Sequence, residues 1–444
     1  MTNPRSVRYE LKTELVRQGY TLSSFSKISG VNRGVLSSTL SDPPTKSLSM
    51  NQLNQMSEAL HLPVGWLYKQ YAEELIKDIE HVSWRKVKDL LTHCLILNKV
   101  SLIKMMLDAL EDKTAYVNYI FELAEEVIEQ GSQADLQMFY QYVLDYESNP
   151  HTERFAVSQY RLFRANLGLD LQQNFKAMIQ FAPYRHTLPL YLKLDALAQL
   201  IHVSYALKDW EVLNEYGKEL VNTANLAYKE KSKQSHISTK KHERPLIVYF
   251  GKGYTAQFIK WEHSGNYEEA KKLIPYYEDL SWVTKVDPLD TESRISVEKH
   301  AIYAKCNRYN LELLQGNYSA LKPYVDYLEF FPEEHPASLT IIIKASNMHK
   351  WDIDEILEKY HHIIYPSNIL DYLQRITSYS MIVEINRYIN IYYELALYYF
   401  ERKKNKDDLE HILSVLKSNI EKYNRLYSFD STQLFEKISK FYLA

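Results

Sequence analysis

Apolar positions along the chain recur at helical spacing almost throughout. Val7, Leu11 and Leu15 fall every four residues and predict a first helix, with Gly19 as its C-terminal stop. Thr21 is suited to cap a second short helix over Leu22 to Ile28. Ser29-Gly30-Val31 then reads as a tight turn, because Gly30 takes the left-handed conformation such a turn needs. Asn32 caps a third helix, Arg33 to about Leu40, which Ser41-Asp42-Pro43-Pro44 stops. A fourth starts near Ser49, with Leu53, Met56, Ala59 and Leu60 on one face, and Pro63 to Leu67 reads as the start of a fifth. The stretch Tyr71 to Lys88 mixes charges with Leu75, Ile79, Val82 and Trp84, and predicts a linker helix.

Beyond it, helical hairpins repeat. Trp261 to Tyr277 and Leu311 to Tyr327 both place Gly-Asn-Tyr between two helices, with a small Ala (Ala270, Ala320) three or two residues later. Looser versions occur around Trp210, Trp351 and Leu409. Lys229 to Pro245 breaks the pattern; it is polar and basic, and predicts an exposed loop or disordered insert. Composition supports the helical reading. Only 11 Gly and 14 Pro occur in 444 residues, too few for the many turns of a strand-rich fold.

Charge is uneven. The net charge is −3, yet residues 1–70 hold eight Lys/Arg against four Asp/Glu, a net +4, which leaves −7 for the rest. A basic head on an acidic body fits a DNA-binding module joined to a sensor. Cys94 and Cys306 stand alone, without disulfide or metal spacing. The N-terminus lacks the apolar core of a signal peptide, and no run of 18 apolar residues suggests a membrane span, so a cytoplasmic protein is expected. Gly251 to Ala256 (GKGYTA) lacks the spacing of a phosphate loop; no HExxH, GxSxG or paired Cys/His motif occurs, and His361-His362 stand alone. Neither an enzyme, a metal nor a cofactor is expected.

The residues Gly19 to Tyr68 resemble the XRE/Cro type of helix-turn-helix: small Ser26 where helices approach, the Gly30-Val31 turn, apolar Leu36, and the closing Ala59-Leu60 with Leu67. The resemblance implies that the third helix lies in the major groove of DNA. Asn32, Arg33, Gly34, Val35, Ser37 and Ser38 are then its exposed positions. Arg33 reads guanine or clamps a phosphate, Asn32 pairs with adenine or remains a cap, and Val35 meets a thymine methyl. Thr21, Lys27 and Lys46 are candidate backbone contacts. Leu22 stands where that family often has Gln, which removes one phosphate anchor.

The hairpins resemble tetratricopeptide repeats, with Pro332 at a repeat end and Tyr254 and Trp261 at large-residue positions of a first helix. This implies a right-handed α-solenoid whose concave face is made by the first helix of each repeat. On that alignment the inner stripe holds Lys252, Thr255 and Glu262, then Lys305, Tyr309 and Glu312, then Glu394, Asn390 and Arg387. Asn pairs with a peptide backbone, and Lys or Arg takes a carboxylate.

Together these parts resemble the peptide-pheromone receptors of the RRNPPA group. The resemblance implies an all-α, homodimeric, quorum-sensing regulator of transcription in which a short peptide switches dimer geometry on a palindromic operator. The expected domains are a helix-turn-helix at 1–70, a linker helix at 71–88 and a repeat domain at 89–444. It also implies Asn clamps on the peptide, for which Asn307, Asn347 and Asn390 are candidates. Other readings remain: a repeat scaffold that regulates a partner signalling protein, or a prophage repressor or antitoxin-type regulator.

Overall fold

The computed structural model describes residues 6–41, 48–79, 81–110, 114–131, 135–233, 242–287, 290–365, 381–402 and 406–422. Among them the structure is all-helical, with no strand, and no helix is long and apolar enough to cross a membrane. Contacts divide the chain into two compact units, Met1–Leu162 and Phe163–Ala444.

The first unit carries α1 (Val7–Arg17), α2 (Leu22–Ser29), α3 (Arg33–Leu40), α4 (Met50–Ala59), α5 (Tyr68–Lys77), α6 (Trp84–Ile96), α7 (Val100–Ala109), α8 (Tyr116–Glu129) and α9 (Gln137–Tyr146). α10 (Glu153–Asn166) follows. The expected caps are in place. Thr21 and Ser24 form a reciprocal capping box on α2, Gly30 adopts φ +70°, and Asn32 Oδ1 accepts from Gly34 N at 2.7 Å. Ser26 Oγ donates to the Val31 carbonyl at 2.8 Å, which ties α2 across the turn. Phe25, Val31, Leu36, Leu53 and Leu67 are buried together with Leu11 of α1.

Two expectations change here. The fifth helix starts at Tyr68, because Val64 to Leu67 form turns in which Gly65 takes φ +82°. The stretch 71–88 is not one linker helix. α5 ends at Lys77, the Asp78 N–H closes onto carbonyls of that last turn, His81 N donates to the Asp78 carbonyl, and α6 begins afresh at Trp84. The apolar core of α1–α5 runs on through Val87, Leu90 and Cys94 of α6 to Phe139 and Val143 of α9.

The second unit holds α11 (Leu171–Phe181), α12 (Leu190–Ala206), α13 (Trp210–Ser232), α14 (Leu246–His263), α15 (Tyr267–Glu278), α16 (Thr291–Leu314), α17 (Leu321–Leu328), α18 (His335–His349), α19 (Asp354–Lys359), α20 (His361–Ile364), α21 (Met381–Glu401) and α22 (Lys406–Lys422). Each long helix packs on the next, and α14 also touches α12 and α16, as α16 touches α18. α12 meets α21 as well.

One turn geometry recurs. Lys208, Gly265, Gly316 and Lys350 each take a left-handed φ of 58° to 94°, and the following residue's N–H reaches back to the carbonyl five positions earlier. This satisfies an otherwise orphaned helix-end carbonyl and reverses the chain in two residues. Asn98 (φ 49°) makes the same turn between α6 and α7. Small side chains beyond the turn, Ala270 and Ala320, are buried.

The expected basic loop at Lys229 to Pro245 is ordered at both ends. Lys229 and Lys231 belong to the last turn of α13, where cations complement the helix dipole. Lys231 pairs with Asp287, and Glu243 pairs with Arg164 at 2.8 Å. Residues 234–241 lie outside the described ones.

Candidate functional sites on α3 and α14

The outer face of α3 is built by what its inner face must bury. Leu36 and Thr39 point to the core, which leaves Asn32, Arg33, Gly34 and Ser37 exposed. Val35 and Ser38, expected to be exposed, are half-buried at the helix margins. Val35 packs on the core, and Ser38 Oγ donates to its own helix at the Gly34 carbonyl, 2.7 Å away. Asn32 spends its carbonyl oxygen on the cap, so its amide N–H groups are what it can offer a ligand.

Lys27, in the last turn of α2, and Arg33, at the first position of α3, are exposed; neither forms an ion pair among the described residues. Thr21 is exposed, with its hydroxyl engaged in the capping box. Leu22 is half-buried against the core. It presents no hydrogen-bonding group there. Lys46 lies outside the described residues.

The second unit gathers charge around α14. Lys252 Nζ lies 2.8 Å from His202 Nε2 on α12. Burial, with Arg244 adding to it, brings the lysine down to about 7; the lysine in turn drives the His202 ring well below its ordinary value, so that ring is neutral. At the far end of α14, Glu262 is pushed up to about 7 by burial, against a smaller opposing pull from Lys344 of α18. Its Oε1 is buried without a hydrogen-bond partner. His263 stacks on Trp210 with ring centroids 4.0 Å apart, and burial lowers it to about 4. Water still reaches part of Lys252 and Glu262, and His263 is exposed by surface area. These side chains are therefore crowded by protein on most sides while one side stays wet.

The other peptide candidates divide. Asn347 of α18 is buried; its Nδ2 donates to the Glu394 carbonyl at 2.8 Å and to Glu394 Oε2 at 2.9 Å, and its Oδ1 accepts from Arg402. Glu394 also senses Lys344, so α14, α18 and α21 converge on that lysine. Arg387 pairs with Glu384 one turn earlier, and Asn390 is half-buried on the same helix.

Lys305, Asn307 and Tyr309 instead face the tyrosines of neighbouring helices. Lys305 Nζ sits 4.3 Å over the Tyr327 ring, Asn307 Nδ2 donates to Tyr277 OH at 2.9 Å, and Tyr309 stacks on Tyr324 at 4.8 Å. These three do not join the Lys252 group. His202 and Lys344 escaped the sequence reading, because only packing brings α12 and α18 to α14. Among the described residues no group of three or more His, Cys, Asp or Glu is placed to hold a metal ion.

In comparisons with known proteins, no family model, no curated protein and no solved structure matches this chain.

Proposed function

We propose that the chain is a homodimeric DNA-binding regulator of transcription. On this reading its α2–α3 pair is a helix-turn-helix of the XRE/Cro type, and its second unit is a tetratricopeptide-like array that binds a short signalling peptide. The observation that carries the reading is the outer face of α3, where exposed Asn32, Arg33, Gly34 and Ser37 follow a glycine turn. Arg33 has a free guanidinium at the N-terminal end of α3, the end that meets base edges in such motifs. The exposed Lys27 on α2 supplies a phosphate partner. Gly34 leaves the helix backbone uncovered for close approach.

The peptide half rests on the recurring left-handed turn, which the Gly-Asn-Tyr hairpins share with the looser ones at Lys208 and Lys350. It rests also on the polar groups around α14. A peptide that binds there couples to the DNA-reading face if it changes the geometry of the dimer.

Gel-shift and footprinting on the DNA upstream of the chain's own gene, at low salt, test the reading. The expected result is a protected, two-fold symmetric site whose affinity changes when small secreted peptides encoded nearby are added. Absence of binding at low salt overturns the DNA half. Binding indifferent to every such peptide overturns the switch.

A further inference from the structure

A lysine and a carboxyl on α14 are crowded by protein with no oppositely charged side chain in contact, and burial brings both to about 7. Lys252 Nζ has the neutral His202 ring as its contacting partner, with the Asp195 carboxylate acting on it across space. No carboxylate comes within ion-pairing distance of it among the described residues. Ten residues later, Glu262 Oε1 is buried without a hydrogen-bond partner. The cation that acts on it, Lys344, does so across space and pairs with nothing among the described residues. The neighbouring carboxylate, Glu394, already has Asn347 Nδ2 on Oε2 at 2.9 Å.

Buried charges are ordinarily paired, because an unpaired one loses its hydration for nothing in return. A crowded lysine and a crowded carboxyl, neither with an ion-pair partner in contact and both on one helix, are complementary to a ligand with separated charges of the opposite order, which would hold each in its charged form. Helical rise sets the separation: ten residues at about 1.5 Å each is about 15 Å. An extended chain advances about 3.3–3.6 Å per residue, so end charges about 15 Å apart belong to a peptide of about four to six residues.

We infer that the ligand is an extended peptide with free termini that lies along α14, its C-terminal carboxylate at Lys252 and His202 and its N-terminal ammonium at Glu262. The inference rests on the peptide reading above. It adds a direction, a length and a requirement for both end charges. Lys252 donates to the carboxylate, and Glu262 accepts from the ammonium.

The test uses the full-length protein and pools of synthetic random peptides of four to eight residues. Four versions are prepared: free, N-acetylated, C-amidated and doubly capped. Peptides retained with the protein on gel filtration at pH 7 are identified by mass spectrometry and their affinities measured. Retention from the free pool is expected. Capping either end of a retained peptide is expected to weaken it by about ten- to a hundredfold, the range of a charge-assisted hydrogen bond. Glu262→Gln is expected to erase the difference between free and acetylated peptide, and Lys252→Met that between carboxylate and amide.

The capping comparison on the unaltered protein does not depend on how either variant folds. Retained peptides that bind equally well when capped overturn this inference and leave the peptide reading standing. Peptides indifferent to acetylation alone overturn the assignment of Glu262, whatever side chains they carry. If no peptide of any version is retained, the peptide reading fails and this inference with it.

Discussion

The His300 ring occupies the space that a side chain on Gly251 would need: a Cβ built there falls 2.0 Å from His300 Nε2. His300 is buried on α16, and its Nδ1 is 2.7 Å from the Ser296 carbonyl oxygen. Two residues on, a Cβ on Gly253 would fall 2.7 Å from Val221 Cγ2 and 2.9 Å from the Gly217 carbonyl oxygen of α13. The glycines thus let α14 press against helices on two sides, and that contact holds Lys252, the residue between them, in a fixed place.

Gly251→Ala is therefore expected to cost about 1–3 kcal/mol by overpacking. His300→Ala in the same chain should recover part of the loss, since the ring is what the new methyl strikes. Urea denaturation of the four members of this double-mutant cycle measures the coupling. Additive losses would show that the strain falls elsewhere.

Arg33→Ala is expected to leave thermal stability within about 0.5 kcal/mol, because the side chain is exposed and unpaired. Affinity for the operator should fall by about 1–3 kcal/mol and discrimination at one base pair should relax. Lys27→Ala should weaken binding to all sequences alike and flatten its salt dependence.

Glu262 links stability to pH. Its folded-state value, raised to about 7 by burial, lies above the ordinary 4.5, so the folded chain holds the proton longer than the unfolded one. The favourable contribution is complete below about pH 4.5 and is lost as pH climbs through about 7. Glu262→Gln should therefore stabilise the free protein at pH 7 and not at pH 4. Because water reaches part of the side chain, the gain is roughly 1–2 kcal/mol. Melting curves of both proteins from pH 4 to 8 measure it; equal slopes would sink the prediction.

Asn347 of α18 makes three hydrogen bonds, two to Glu394 of α21 and one from Arg402 just beyond it. Asn347→Ala strips Glu394 of its side-chain donor and Arg402 of one acceptor, and is expected to cost about 1–3 kcal/mol. Asn347→Asp should cost more, since it sets a second carboxylate against Glu394. Chemical denaturation at pH 7 ranks the two; a harmless Asp would show that the contact is not maintained in solution.

The local parts of this structure were legible in the sequence, and the long-range parts were not. Thr21, Gly30, Asn32 and Ser49 bound α2, α3 and α4 because caps and left-handed turns act within four residues. The break between α5 and α6 was missed, because Leu75, Ile79, Val82 and Trp84 keep a helical rhythm although the chain turns at Asp78 and Ile79. GKGYTA was recognised only for what it lacks; its glycines matter through α13 and α16, which come from elsewhere in the chain. Stripe arithmetic placed Lys252 and Glu262 on one face of α14. It also placed Lys305 and Tyr309 on an inner face, where tyrosine stacking holds them instead, since a straight-helix projection cannot say which neighbour a long side chain will meet.

The core that α1–α5 share with α6–α9 has a consequence for how such a protein can change. A DNA-reading head on a tether can be traded between genes like a cassette, cut at its edge. A crossover near residue 70 here would sever Leu11, Leu53 and Leu67 from Tyr71, Leu75 and the α6 side chains of the same core, and would leave both halves with exposed apolar faces. The compact unit ends only at Leu162. On the proposed reading, new DNA specificity then arises by single replacements on the outer face of α3, in a chain that keeps the rest of the unit intact.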